Sequence, residues 1–144
     1  MVTREQVMQA LFALLQSTGS FVTVSRRNRN PEGLTPAQCP ALFLLEDAEE
    51  PKRKSLNMPP VRELTVKAIF YHDCGTDENA VPSALINAVL DALDAALLPD
   101  NLQTGFCTLG GLVFAIYISG SVTKAPGDIT GKSLAIVPLR IVLP

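Results

Sequence analysis

The sequence LTVKAIFYH at residues 64–72 decides what kind of fold this chain can adopt. Every second side chain in it is apolar, and that row consists of Leu64, Val66, Ala68 and Phe70. Successive side chains of a β-strand point to opposite faces, so this alternation predicts a half-buried strand. The buried face of such a strand needs a second layer, and the flanking segments provide two helices.

The first helix is predicted near the N-terminus, where Val7, Leu11, Leu14 and Leu15 recur at helical spacing. Thr3 and Gln6 have the spacing of a capping box, and Gly19 is expected to end the helix in the left-handed conformation. The second helix is predicted to begin near Pro82 and to end before Pro99. Its apolar stripe consists of Ile86, Val89, Leu90, Leu93 and Leu97.

Further strands are predicted at residues 21–27, 41–45, 104–109, 112–119 and 134–143. Gly110 and Gly111 mark either a tight hairpin or a bulge. The strands cluster instead of alternating with helices, which predicts one α+β domain over residues 1–144. We expect a mixed or mainly antiparallel sheet of about four to six strands, packed with two helices.

The last predicted strand, residues 134–143, is apolar on nearly both faces. It must be sandwiched in the core or be an edge covered by another chain, because exposed apolar edges aggregate. Two long loops, near residues 28–40 and 46–62, separate the predicted strands. Structureless loops of this length in a compact domain are usually functional or disordered, so we expect partner contacts there.

The composition excludes several classes of function. Charged residues make up 18% of the chain and the net charge is −2, so no overall field attracts DNA or an anionic membrane. Cys39, Cys74 and Cys107 share no metal-binding spacing and are odd in number, which favours a reducing cytoplasm. We expect neither a signal peptide nor a membrane span.

No group of residues predicts catalysis, a cofactor or a metal site. His72 stands beside Asp73 and Cys74, but neighbours in a strand point to opposite faces and cannot converge on one substrate atom. Asp91 and Asp94 fit the solvated face of the second helix, with Asp100 nearby. Three glycines, Gly105, Gly110 and Gly111, are interpreted as turn residues.

Charged side chains are the candidate contacts to another subunit or to DNA in a channel. Arg26, Arg27 and Arg29 either hold an anionic partner or form a solvated strand end, and the sequence favours neither. A second group places Lys52, Arg53 and Lys54 after Glu46, Asp47, Glu49 and Glu50, and Arg140 is added from the last strand. A local surface network is the simpler interpretation of that group, and contact between subunits is the alternative.

Two parts of the chain have an order of residues that is typical of one protein family. The C-terminal part of the likeness consists of Leu109, Gly110, Gly111, Leu112, Val113, Ile118, Ser119, Gly120, Pro126, Gly127, Asp128, Gly131 and residues 137–144. The N-terminal part consists of residues 11–15, Phe21, Ser25, Arg26, Arg27 and residues 40–43. In this order the chain resembles the tail terminator or tail completion proteins of long-tailed bacteriophages. The likeness spans most of the chain and is strongest in the last 36 residues.

The resemblance implies a virion protein, assembled in the host cytoplasm, that forms a ring at the head-proximal end of the tail. Such a ring is typically a hexamer, stops polymerisation of the tail tube and offers a surface to neck or head-completion proteins. Genomic DNA passes through its channel without sequence-specific binding. The alternatives are a head-completion or neck connector protein and, outside that class, a small DNA-binding module using the three arginines.

Overall fold

The computed structural model describes residues 2–27, 33–73, 75, 79–125 and 132–143. They form two α-helices and a six-stranded mixed sheet, which confirms the predicted α+β class. In chain order the elements are α1 (Arg4–Gln16), β1 (Thr23–Ser25), β2 (Ala41–Lys52), β3 (Val61–Asp73), α2 (Pro82–Ala96), β4 (Ala115–Ile118), β5 (Thr123–Ala125) and β6 (Lys132–Leu143). A short 3-10 turn, Pro36–Gln38, precedes β2.

The sheet is arranged around β6. Its strand order is β1-β2-β3-β6-β4, and β5 also pairs with β6. Only β1 and β2 run parallel; the other pairs are antiparallel. The last strand is therefore interior, and the alternative that it forms an edge is wrong. Pro138 of this strand still takes part in hydrogen bonding, because its carbonyl accepts a hydrogen bond from the Ser119 N–H at 3.0 Å.

Both helices cover one face of the sheet. The fully buried residues Val7 and Leu11 of α1 share a core cluster with Ile86 and Leu93 of α2 and with the inward rows of β2, β3, β4 and β6. In β6 alternate residues are buried, namely Ser133, Ala135, Val137, Leu139, Ile141 and Leu143, while the opposite row is only partly buried. The sheet thus has one face covered by helices and a second face with less cover.

The start of α1 agrees with the prediction and its end does not. Gln6 N–H donates to Thr3 Oγ1 at 3.2 Å and Thr3 N–H donates to Gln6 Oε1 at 2.8 Å, which completes the capping box. The helix ends at Ser17 in the right-handed conformation. Thr18 Oγ1 donates to the Leu15 carbonyl at 2.6 Å, so hydroxyls satisfy the helix end without a left-handed glycine. Gly19 instead leaves room for Phe21, whose ring would lie 3.2 Å from a Cβ.

The second helix agrees with its sequence pattern. Pro82 lies in its first turn, where a missing N–H costs nothing. Ile86, Val89 and Leu93 are buried, and Leu90 and Leu97 pack partly against the same core. Asp91 and Asp94 are exposed on its outer face, as predicted.

The region predicted as a loop at residues 46–62 is mostly strand, which corrects the prediction. β2 continues to Lys52 and β3 begins at Val61, so residues 53–60 alone connect them. The acidic stretch shows no apolar alternation, and its strand structure comes from pairing with β3. The register shifts between Glu46 and Ala48, where Asp47 forms a bulge. Of the other predicted loop, residues 28–32 lie outside the described residues.

Three C-terminal predictions also need correction. Residues 104–109 contribute only isolated bridges, Asn101 to Phe106 and Cys107 to Ile116, instead of a strand. The predicted strand 112–119 is reduced to Ala115–Ile118. The segment Thr123–Ala125, which lies outside the predicted strands, is β5 and pairs with β6. These differences arise because pairing with β6, more than local composition, decides which residues become strands.

Replacement of Leu139 by alanine tests the central position of β6. Leu139 is fully buried under the helices, so Leu139→Ala should lower the free energy of unfolding by about 2–5 kcal/mol. Urea denaturation measures this change. Leu102, 96% exposed, is the matched control, and Leu102→Ala should stay within about 0.5 kcal/mol of the wild type. Equal effects of the two substitutions would contradict the placement of Leu139.

Candidate assembly surfaces

Glu49 connects the hairpin of β2 and β3 to the start of α1. Its carboxylate accepts hydrogen bonds from Arg4 Nε at 2.7 Å and Arg4 Nη2 at 2.6 Å, and from Arg62 Nη1 at 2.9 Å. These bonds, first of all those from Arg4, lower the pKa of Glu49 from 4.5 to about 2. Glu49 can reach Arg4 because the bulge at Asp47 turns it to the helix side of the sheet.

The arginine group at the end of β1 is divided by the structure. Arg26 forms ion pairs with Glu5 and, at 3.9 Å, with Glu46. The hydrogen bond from Arg26 lowers the pKa of the Glu5 carboxyl. Arg27 is exposed, and Arg29 lies outside the described residues. The charge of Arg26 is therefore already balanced within the chain.

Charges on the opposite face of the sheet form a second network. Lys52 Nζ lies 3.0 Å from Glu63 and 4.0 Å from Glu50, and Arg140 Nη1 lies 3.6 Å from the same Glu63 carboxylate. Arg53 and Lys54 are exposed, and no ion pair joins them to the described part of the chain. The local-network interpretation accounts for Lys52, Glu50 and Arg140 on this face. It also accounts for Glu49, whose partners Arg4 and Arg62 lie on the helix side. Contact of these residues with another subunit stays a prediction.

An aromatic cavity lies at the β4 side of the sheet. It has a volume of about 570 Å³ and is lined by Phe106, Phe114, Tyr117 and Val142, among others. Phe106 is 43% and Phe114 54% exposed, and the Phe106 and Tyr117 rings lie 5.7 Å apart. Exposed aromatic side chains around a hollow are typical of binding surfaces. The sequence analysis missed this cavity, and its only sequence signal is the aromatic content of residues 106–117.

Asp100 holds the loop that carries one wall of this cavity. Its carboxylate accepts bonds from Thr108 N at 2.7 Å, Thr108 Oγ1 at 2.7 Å and Gly110 N at 3.0 Å. The Thr108 hydroxyl, followed by the Gly110 amide, lowers the pKa of Asp100. Gly110 and Gly111 have φ of 71° and 93°, which confirms them as turn residues.

His72 and Asp73, at the end of β3, have different surroundings. His72, 7% exposed near the end of β3, has a pKa lowered by burial. Asp73 instead accepts a bond from Gly75 N at 2.7 Å, and Cys74 lies outside the described residues. Cys39 and Cys107 are free thiols. Within residues 2–27, 33–73, 75, 79–125 and 132–143, no cluster of three or more His, Cys, Asp or Glu side chains could hold a metal ion.

No helix in the described part of the chain is long and apolar enough to span a bilayer.

Comparison with known proteins finds similarity to solved structures but no family. No protein-family model matches the sequence, and no curated protein matches it. The chain is similar to one from a solved structure described as the virion of a native gene transfer agent particle, at a TM-score of 0.49 and 13% sequence identity. The alignment covers 94% of this chain and 90% of that chain. So low a similarity carries no conclusion on function, which has to come from the surfaces described above.

Replacement of Glu49 by glutamine tests the cluster with Arg4 and Arg62. The folded pKa of about 2 lies below the ordinary 4.5, so the carboxylate stabilises the fold above about pH 4.5 and loses this effect as pH falls toward 2. Because both arginines are about half exposed, the gain at pH 7 should be no more than about 1 kcal/mol. Urea denaturation of wild type and Glu49→Gln across pH 2–7 measures it.

Glu50→Gln is the matched control for this series, because its nearest cation, Lys52, lies 4.0 Å away. Its stability should follow the wild type at every pH. A difference between wild type and Glu49→Gln that grows as the pH falls would contradict the ion-pair assignment.

Proposed function

We propose that this protein is a structural protein of a phage-like virion and that it forms a ring capping the head-proximal end of a tail tube. The apolar surface around the aromatic cavity carries the proposal, since a chain of this size rarely exposes such a surface without a partner. The sequence resemblance to tail terminator proteins, which spans most of the chain, supports the specific place in the virion.

The second face of the sheet adds to this exposed surface. Part of it is covered by Leu34, which packs with Phe43 and Ile69 in a small cluster. Farther along, Pro138 and Val142 of β6 are only partly buried among the described residues. Assembly with another chain would bury these side chains and remove the aggregation hazard of an open apolar surface.

The proposed role requires contacts and no reaction. The partners are further copies of the chain, the tail tube protein and the neck or head-completion proteins, with DNA passing through the channel. Exposed loops and edges on a rigid sheet are suited to such contacts. We assign no catalytic residue, cofactor or metal to the protein.

Electron microscopy and native mass spectrometry of the full chain test the proposal. We expect closed rings of one size, alone or after addition of tail tubes, and tubes of excess length when the protein is omitted from assembly. A chain that stays monomeric and binds neither tail tubes nor neck proteins would refute the proposal. Binding to the connector of a DNA-filled head, without any binding to tubes, would favour the neck-protein alternative.

A titration with duplex DNA distinguishes the proposed ring protein from the alternative, a small DNA-binding module. Arg26 is already paired with Glu5 and Glu46, and the net charge is −2, so affinity should be weak and independent of sequence. Arg27→Gln should change it little. A steep salt dependence of the wild type that Arg27→Gln reduces would instead support a DNA-binding module. Fluorescence anisotropy at several salt concentrations gives both quantities.

A further inference from the structure

The connection between β2 and β3 carries apolar side chains that their own chain leaves in solvent. We call residues 53–60 the hairpin tip. Leu56 is 91% exposed and Met58 56% exposed. The Met58 N–H donates to the Ser55 carbonyl at 3.3 Å, so the tip forms a turn beyond the last residue pair of the two strands, Lys52 with Val61. Side chains at such a position lie outside the reach of the helical core.

The hairpin tip and the aromatic cavity are built on different strands, near the same end of the sheet. The tip belongs to β2 and β3, whereas the cavity is built on β4 and the adjoining end of β6, where Ala115 pairs with Val142. β6 separates β3 from β4 in the sheet. One chain can therefore offer its tip to one neighbour and its cavity to another. Two different patches that bind each other are what a head-to-tail contact requires.

The cavity has the size of a binding site, and acidic side chains lie next to it. A volume of about 570 Å³ is within the range, about 300–1,000 Å³, of cavities that hold a bound group. Arg53 and Lys54 beside the apolar tip are cationic and exposed. On the cavity side, Asp100 holds the Thr108 wall, and Asp94 lines a neighbouring hollow that shares Phe106 and Tyr117. Neither aspartate lines the cavity itself, but both are exposed next to residues that do. Their charge is opposite to that of the tip, which favours the correct orientation of two copies.

We propose that the hairpin tip of one copy inserts Leu56 and Met58 into the aromatic cavity of the next copy, with Arg53 and Lys54 facing Asp94 and Asp100. The inference rests on the proposed ring, for which it names the contact between subunits. Repetition of this contact around a closed rotation produces a ring without any further interface. Apolar side chains that fill a pocket near the centre of an interface usually carry most of its binding energy.

Two substitutions, one on each surface, test the contact in the full chain. Leu56→Asp disables the tip and Phe114→Asp disables the cavity, and both side chains are exposed enough for the fold to survive. Each variant alone should lose ring formation, with association at least about tenfold weaker than in the wild type. An equimolar mixture has one intact tip and one intact cavity, so it should form dimers and stop there. Mass photometry and analytical ultracentrifugation count the copies.

Val22→Asp is the matched control, since Val22 is 63% exposed beside β1, away from both surfaces. It should assemble like the wild type, and all variants should keep the wild-type thermal transition. The double reversal Arg53→Glu with Lys54→Glu provides an independent variant that leaves both apolar surfaces intact. It should weaken assembly, and an added Asp94→Lys should restore part of it.

The possible results separate the contact from the proposed function. Wild-type rings together with rings of both Asp variants would overturn this contact and leave the proposed function standing. A mixture that stays monomeric would overturn it as well, as would an equal loss in Val22→Asp. If Phe114→Asp forms normal rings that no longer cap tubes, the cavity binds the tube protein instead of another copy, and this contact is overturned. Failure of the wild type to assemble, with or without tubes, would remove the proposed function and this inference together.

Discussion

The antiparallel ladder between β3 and β6 runs from Arg62 opposite Leu143 to Asp73 opposite Lys132. It sets the register of the sheet, because β2 pairs with the free side of β3, and β4 and β5 pair with the free side of β6. The same ladder orients alternate side chains toward α1 and α2. Every surface discussed for assembly is therefore positioned by this one pairing: the hairpin tip extends from β3, and the aromatic cavity is attached to β6.

Elements whose side chains alternate or recur between core and solvent were predictable from the sequence. This holds for α1, α2 and β3, since burial of an apolar face decides their structure. Prediction from an apolar face fails for β2 beyond Leu45, because charged residues occupy both faces there. Only pairing with β3 imposes the extended form. Prediction fails again at Gly19, because the Ser17 and Thr18 hydroxyls end α1 in a way that glycine preferences do not show.

The candidate site was harder to predict, for a physical reason. Charged residues are conspicuous in a sequence, yet most of those selected here meet their partners within the chain, as Glu49 does with Arg4. The aromatic cavity draws its walls from residues around 104–117 and from Val142, and these meet only after β4 pairs with β6. Long-range pairing of this kind leaves no local pattern, whereas a helix stripe or an alternating strand does.

The bulge at Asp47 restricts how the β2–β3 hairpin can vary in length. When one residue is inserted or deleted between the bulge and the hairpin tip, the β2 side chains on one side of the change move to the opposite face of the sheet. A single-residue change between the bulge and Glu49 would turn Glu49 away from Arg4 and present Lys52 to the helix side. Changes of two residues, matched in β3, would keep both ion-pair networks. Related chains should therefore differ in hairpin length by even numbers of residues in each strand, unless they have also lost or moved the bulge.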